Sequence, residues 1–82
     1  MSIHKIYDTR GRFIKKGWKM KGLPAGYYYL VEKTFIGSAQ IISVHTVLKS
    51  EGRIKFIRTK VVRNDLLGIR VENMPWWVYA ST

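Results

Sequence analysis

Residues 40–49, QIISVHTVLK, decide the fold class. In an extended chain Ile42, Val44, Thr46 and Leu48 fall on one side and Ser43, His45 and Lys49 on the other, the period-two pattern of a half-buried strand. Ile41 and Val47 interrupt the polar side, but the first side is expected to face the core. Gly37-Ser38 before this stretch and Ser50-Glu51-Gly52 after it supply turn chemistry, so a strand should pair with it on each flank.

Upstream, residues 27–35 alternate in the same way, with Tyr27, Tyr29 and Val31 on one face and Tyr28, Leu30 and Glu32 on the other. Downstream, in residues 53–63, Ile54 and Phe56 share a phase while Ile57, Thr59 and Val61 share the opposite one. Such a flip predicts a β-bulge or a sharp barrel corner. Nearer the N-terminus, residues 3–7, the turn Asp8-Thr9-Arg10-Gly11 and a return from Phe13 predict a hairpin. Residues 16–21 alternate again, with Trp18 and Met20 on one side and lysines on the other. Gly22-Leu23-Pro24-Ala25-Gly26 then forms a loop. Residues 64–68 read as a turn or one short helical turn, and 69–72 as a further strand. Pro75 excludes a central ladder position, and Trp76-Trp77-Val78-Tyr79 is a final short strand or an aromatic plug.

No segment holds helical periodicity for three turns. Residues 1–82 are therefore expected to form a single all-β domain, a small SH3-like or OB-like barrel of five to seven short antiparallel strands. A domain of this size buries only about 60–65% of its unfolded surface, so its stability is marginal by default. An apolar fraction of 46% still suffices for one core.

Charge narrows the function classes. The net charge is +10, of which residues 10–21 carry +6 with no acid among them and residues 49–63 carry +5, leaving the remainder close to neutral. Lysine and arginine displace condensed counterions from a phosphate backbone, and flat rings offer a face to bases. The candidate nucleic-acid-binding residues are Arg10, Arg12, Lys15, Lys16, Trp18, Lys19 and Lys21 in the first run and Arg53, Lys55, Arg58, Lys60 and Arg63 in the second. The same cations would also solubilise a small β-protein and shield its edges; the arginines favour the phosphate reading because guanidinium matches phosphate bidentately. Six engaged cations would give log affinity a slope against log salt of roughly −4 to −5.

The run Tyr27-Tyr28-Tyr29 forces at least one ring to the face opposite its neighbours, making Tyr28 and Tyr29 candidates for stacking or for a partner contact. Adjacent Trp76 and Trp77 pose the same choice, and one of them would suit a homodimer contact. The chain is thus expected to be a non-enzymatic regulator or accessory factor that binds DNA or RNA. The alternative is a protein-interaction module or small inhibitor that docks on an acidic or apolar surface.

Other classes are disfavoured by composition. There is no cysteine, which excludes disulfides, thiol catalysis and thiolate metal sites. His4 and His45 lack ligand-spaced companions, so no metal and no cofactor is expected. Asp8, Glu32, Glu51, Asp65 and Glu72 are scattered and read as turn chemistry or local pairing, not as a catalytic set. No window approaches the roughly 20 apolar residues of a membrane helix, and no signal-peptide core is present, which points to a cytoplasmic protein.

Two local phrases, YDTRGRFIK at residues 7–15 and LPAGYYYL at 23–30, resemble the hairpin and loop of repetitive β-sandwich modules in secreted bacterial proteins. The likeness rests on common turn chemistry, and no function is carried over from it.

Overall fold

A computed structural model describes residues 1–70; the expectations for residues 71–82, Trp76 and Trp77 among them, lie outside the described residues. The strands are β1 (Ser2–Tyr7), β2 (Phe13–Lys16), β3 (Gly26–Ile36), β4 (Ala39–Ser50), β5 (Arg53–Asn64) and β6 (Ile69–Arg70). They form one antiparallel sheet in the order β2-β1-β3-β4-β5-β6. Among the described residues the sheet is open, with β2 and β6 as its edges, and the closure expected of an SH3-like or OB-like barrel is not made.

Local chemistry fixes the hairpins. Asp8 Oδ1 accepts the amides of Arg10 and Arg12, both at 2.9 Å, and the Gly11 amide donates to the Asp8 carbonyl at 3.0 Å, so one carboxylate organises the β1–β2 turn. At the far side of the sheet Asp65 accepts the Gln40 amide at 2.8 Å and pairs with Arg63 at 2.8 and 3.1 Å, tying the end of β5 to the start of β4. The Arg63 hydrogen bond, and then the Gln40 amide, hold the Asp65 carboxyl below its usual range.

Connectivity explains what covers the sheet. β2 and β3 both pair antiparallel with β1, on opposite sides of it, and therefore run in the same direction. Residues 17–25 must then travel back along the sheet across one of its faces, as any link between parallel strands must. About 30 Å of extended chain is available in nine residues, enough to retrace a six-residue strand of about 20 Å. Residues 16–21, expected to alternate as a strand, are thus mostly crossover: β2 stops at Lys16.

The crossover puts core on both faces. On the face it covers, the loop face, Ile6, Met20, Tyr28, Leu30 and Val47 form a buried cluster with Ile14 and Leu23 against it. On the opposite face Tyr7, Val31, Ile42 and Val62 form a second cluster, joined by Tyr29 and Val44. The alternation at residues 40–49 predicted one core-facing side. Instead Ile42 and Val47, five residues apart and on opposite faces, are both fully buried. Val47, read from sequence as a break in a polar face, belongs to the loop-face core.

The predicted phase flip in residues 53–63 is a bulge. Phe56 pairs with Val47 and Arg58 with Thr46, leaving Ile57 as the extra residue, and a second irregularity near Val62 separates Val61–Ser43 from Arg63–Ile42.

One buried group stands out. Lys33 on β3, between Ile3 of β1 and Ile42 of β4 on the opposite face, is only 4% exposed, and its ammonium has no hydrogen-bond partner among the described residues. Burial, with nearby Lys5 adding to it, lowers its pKa to about 8.

Candidate nucleic-acid interface

The crossover builds a cleft on the loop face. Gly17, at φ +97°, starts it, and its amide donates to the His4 carbonyl at 2.7 Å. Met20 then enters the core and the chain turns: the Leu23 amide donates to the Met20 carbonyl at 3.1 Å, with Gly22 at φ +87° in the third turn position. That position requires the left-handed region, which only glycine adopts without strain. Lys49 of β4 clamps the turn, its ammonium donating to the Met20 and Leu23 carbonyls at 2.6 Å each. The Tyr28 hydroxyl donates to the Pro24 carbonyl at 2.5 Å. With Met20 and the turn anchored, Trp18 is left proud of the sheet and 58% exposed.

Two adjoining clefts share Trp18, Met20 and Ile54. The larger, about 440 Å³, is completed by His4, Leu30, Glu32, His45 and Phe56. The second, about 360 Å³, is completed by Lys19, Lys21, Gly22, Lys49 and Gly52. One side of Trp18 therefore looks onto apolar walls with a polar floor, and the other onto lysines. Lys19 keeps its ammonium 6.0 Å from the Trp18 ring centroid.

The polar floor is a chain of polar contacts across four strands. His4 on β1 is paired directly with Glu32 on β3, and its Nε2 lies 3.3 Å from Glu32 Oε2. His45 on β4 brings its Nε2 to 3.1 Å from the other oxygen, Oε1, while its Nδ1 meets the Thr59 hydroxyl of β5 at 2.8 Å. The Phe56 ring packs edge-on against His45 at 5.2 Å between centroids. The two imidazoles address different oxygens of one carboxylate, so their nitrogens straddle it. Among the described residues no group of three or more His, Cys, Asp or Glu is arranged to hold a metal ion.

No protein-family model matches the chain, and searches of curated proteins and of solved structures return no match.

The sequence-derived residues are distributed unevenly over this geometry. Trp18, Lys19 and Lys21 gather at the clefts, and Lys15 sits across from Ile6 on the same face. Arg10 and Arg12 are exposed in the β1–β2 turn, and Lys16 pairs across from Lys5 on the opposite face. Arg53, Lys55, Arg58 and Lys60 do not join them. Their partners Ser50, Leu48, Thr46 and Val44 all lie on the opposite face, so the bulge at Ile57 keeps the four cations in one exposed row there. Three strands separate β2 from β5, about 19 Å across the sheet, so the two basic runs do not merge into one surface; only Lys19 and Lys21 reach the β4–β5 turn. Arg63 is committed to Asp65.

The tyrosines also sort differently. Tyr28 is buried in the loop-face core and is removed from the stacking candidates, and Tyr29 packs against the other core. Tyr27 is the exposed ring of the three. The cluster His4, Glu32, His45 and Thr59 was not legible as a site in the sequence, where its members are dispersed over 56 residues and only strand adjacency unites them.

Proposed function

We propose that the protein binds single-stranded or unpaired nucleic acid on its loop face, with a base seated against Trp18 and phosphates on Lys19, Lys21 and Lys15, and that it acts by binding and not by catalysis. The observation that carries this reading is the position of Trp18: a 58% exposed indole between an apolar cleft and a lysine-lined one. A nucleotide has the same division, an apolar ring joined to an anion, and aromatic stacking with backbone electrostatics is the general mode of single-strand recognition. Phe56, 55% exposed and lining the same cleft, offers a second surface to the same base. The cationic row on β5 lies on the other face and supports general attraction to a polyanion, not contact in the cleft.

With three candidate cations on the loop face the expected salt dependence is shallower than the clustered sequence implied: log affinity should fall with log salt at a slope of about −2 for a single strand. Fluorescence anisotropy with single- and double-stranded DNA and RNA over a salt series, for the wild type and a Lys19→Glu/Lys21→Glu variant, reads this slope. The variant should bind more weakly and with a smaller slope. Salt-independent binding, or a variant that matches the wild type, would remove the reading.

A protein partner is the second reading. Leu66, Leu67 and Ile69 are exposed around the β5–β6 turn and give an apolar partner a surface remote from the clefts.

A further inference from the structure

The floor of the larger cleft carries an anion where a nucleic-acid site would ordinarily avoid one. Glu32 is 34% exposed in its side chain and stands at the bottom of a cleft whose walls are Trp18, Met20, Leu30, Ile54 and Phe56. An ionised carboxylate only accepts hydrogen bonds, about two to each oxygen. His45, braced by Thr59, takes one position on Oε1, and the His4 Nε2 lies 3.3 Å from Oε2. Each oxygen keeps at least one acceptor position.

The four bases differ in what they can present to such a fork. Guanine places two donors side by side on its Watson–Crick edge, N1–H and N2–H. Adenine and cytosine each place one amino donor beside a ring-nitrogen acceptor, and thymine or uracil flanks its one N–H with two carbonyl oxygens that a carboxylate repels. A cleft of about 440 Å³ accommodates a base with its sugar. Resting on the nucleic-acid reading above, we propose that this cleft is a guanine-selective pocket, in which the guanine edge donates two hydrogen bonds to the Glu32 carboxylate while the ring stacks between Trp18 and Phe56.

The chemistry on either side of the pocket fits the same occupant. The phosphate attached to the seated nucleoside leaves toward Lys19 and Lys21, which share Trp18 and Ile54 with the pocket, so the local negative charge of Glu32 is separated from that of the backbone. His4 and His45 hold the carboxylate but leave its donor-facing side to the ligand. They are positioning residues in this scheme, whereas Glu32 touches the base.

The test uses labelled hexadeoxynucleotides of thymidine that carry guanine, hypoxanthine, adenine, cytosine or thymine at one central position, titrated against the intact chain by anisotropy at fixed salt. Hypoxanthine is guanine without the N2 amino group and probes the second hydrogen bond with no change to the protein. The guanine oligonucleotide is expected to bind roughly 5- to 100-fold more tightly than the adenine, cytosine and thymine ones, with hypoxanthine between. In Glu32→Gln, where one acceptor becomes a donor, the five affinities should fall within about twofold of one another; circular dichroism of this variant establishes that the sheet is retained. Equal binding of all five by the wild type, or a guanine preference that survives Glu32→Gln, overturns the pocket assignment and leaves the binding reading standing. Failure of every oligonucleotide to bind overturns both.

Discussion

Replacing Trp18 by alanine is expected to weaken binding of a single-stranded oligonucleotide by about 5- to 150-fold, since stacking of one base on an aromatic ring is worth ~1–3 kcal/mol. The loss should be one of affinity and not of folding. Trp18 is more than half exposed, and the segment that carries it is held by others: Met20 in the core, Gly17 on the His4 carbonyl, and Lys49 on the Met20 and Leu23 carbonyls. Thermal unfolding of the variant should therefore stay close to that of the wild type while binding falls. Trp18→Phe keeps a stacking face and should retain part of the affinity. Binding of Trp18→Ala within about twofold of the wild type would exclude the ring from the interface.

The second large effect concerns stability. Lys33 is charged in a site that disfavours charge, so its folded pKa of about 8 lies below its ordinary 10.5. The sign follows from linkage: below about pH 8 both folded and unfolded chains hold this proton, and folding bears the full cost of burying it. As pH rises from about 8 toward 10.5 the folded chain gives up the proton first, and stability increases over that window. The cost is at most about 3 kcal/mol, since one pKa unit corresponds to about 1.4 kcal/mol and residual solvent contact screens part of it. Lys33→Met, which preserves length and removes the charge, should stabilise the protein at pH 7, by urea titration, with an advantage that shrinks through pH 8 to 10. A variant that is no more stable at pH 7, or whose difference is independent of pH, would mean the ammonium is satisfied in solution. A marginal small domain that tolerates such a group keeps it at a real cost, because a few kcal/mol is a large share of its total stability.

Much of the sheet was legible residue by residue. The alternation at 40–49 marks β4, observed at Ala39–Ser50, and the phase flip between Phe56 and Ile57 is the bulge that the register displays. Asp8, Gly11 and Gly22 announced their turns because each has a local conformational reason to be there. What could not be read was the order of strands. Period-two patterning says that residues 13–16 and 26–36 are extended, not that both flank β1. Yet that adjacency sends residues 17–25 across a face, buries Val47 and Met20 together, and leaves Trp18 exposed. The expectation of a single core-facing side failed for this reason.

The candidate site was legible in part for the same reason. Trp18, Lys19 and Lys21 are close in sequence, so composition found them. His4, Glu32 and His45 come from three strands and carry no spacing signal, since their proximity is a product of register: His4 opposite Glu32, and His45 one diagonal step away on β4. Tyr28 illustrates the converse. Its run of three tyrosines forces an outward ring, but which one depends on which face receives the crossover, and the core took Tyr28 while Tyr27 remained outside.

On the proposed function, the ligand sits on the loop face, with Trp18 at the centre of its contacts. Amide and side-chain NMR shifts of the isotopically labelled protein, followed while a guanine-containing single-stranded hexanucleotide is added, test this most directly. Perturbations are expected at the Trp18 indole, Lys19, Lys21, Glu32, His45, Ile54 and Phe56, on the cleft side of the sheet. Perturbations confined to the opposite-face row of Arg53, Lys55, Arg58 and Lys60, or to Leu66 and Leu67, with Trp18 unmoved, would contradict it.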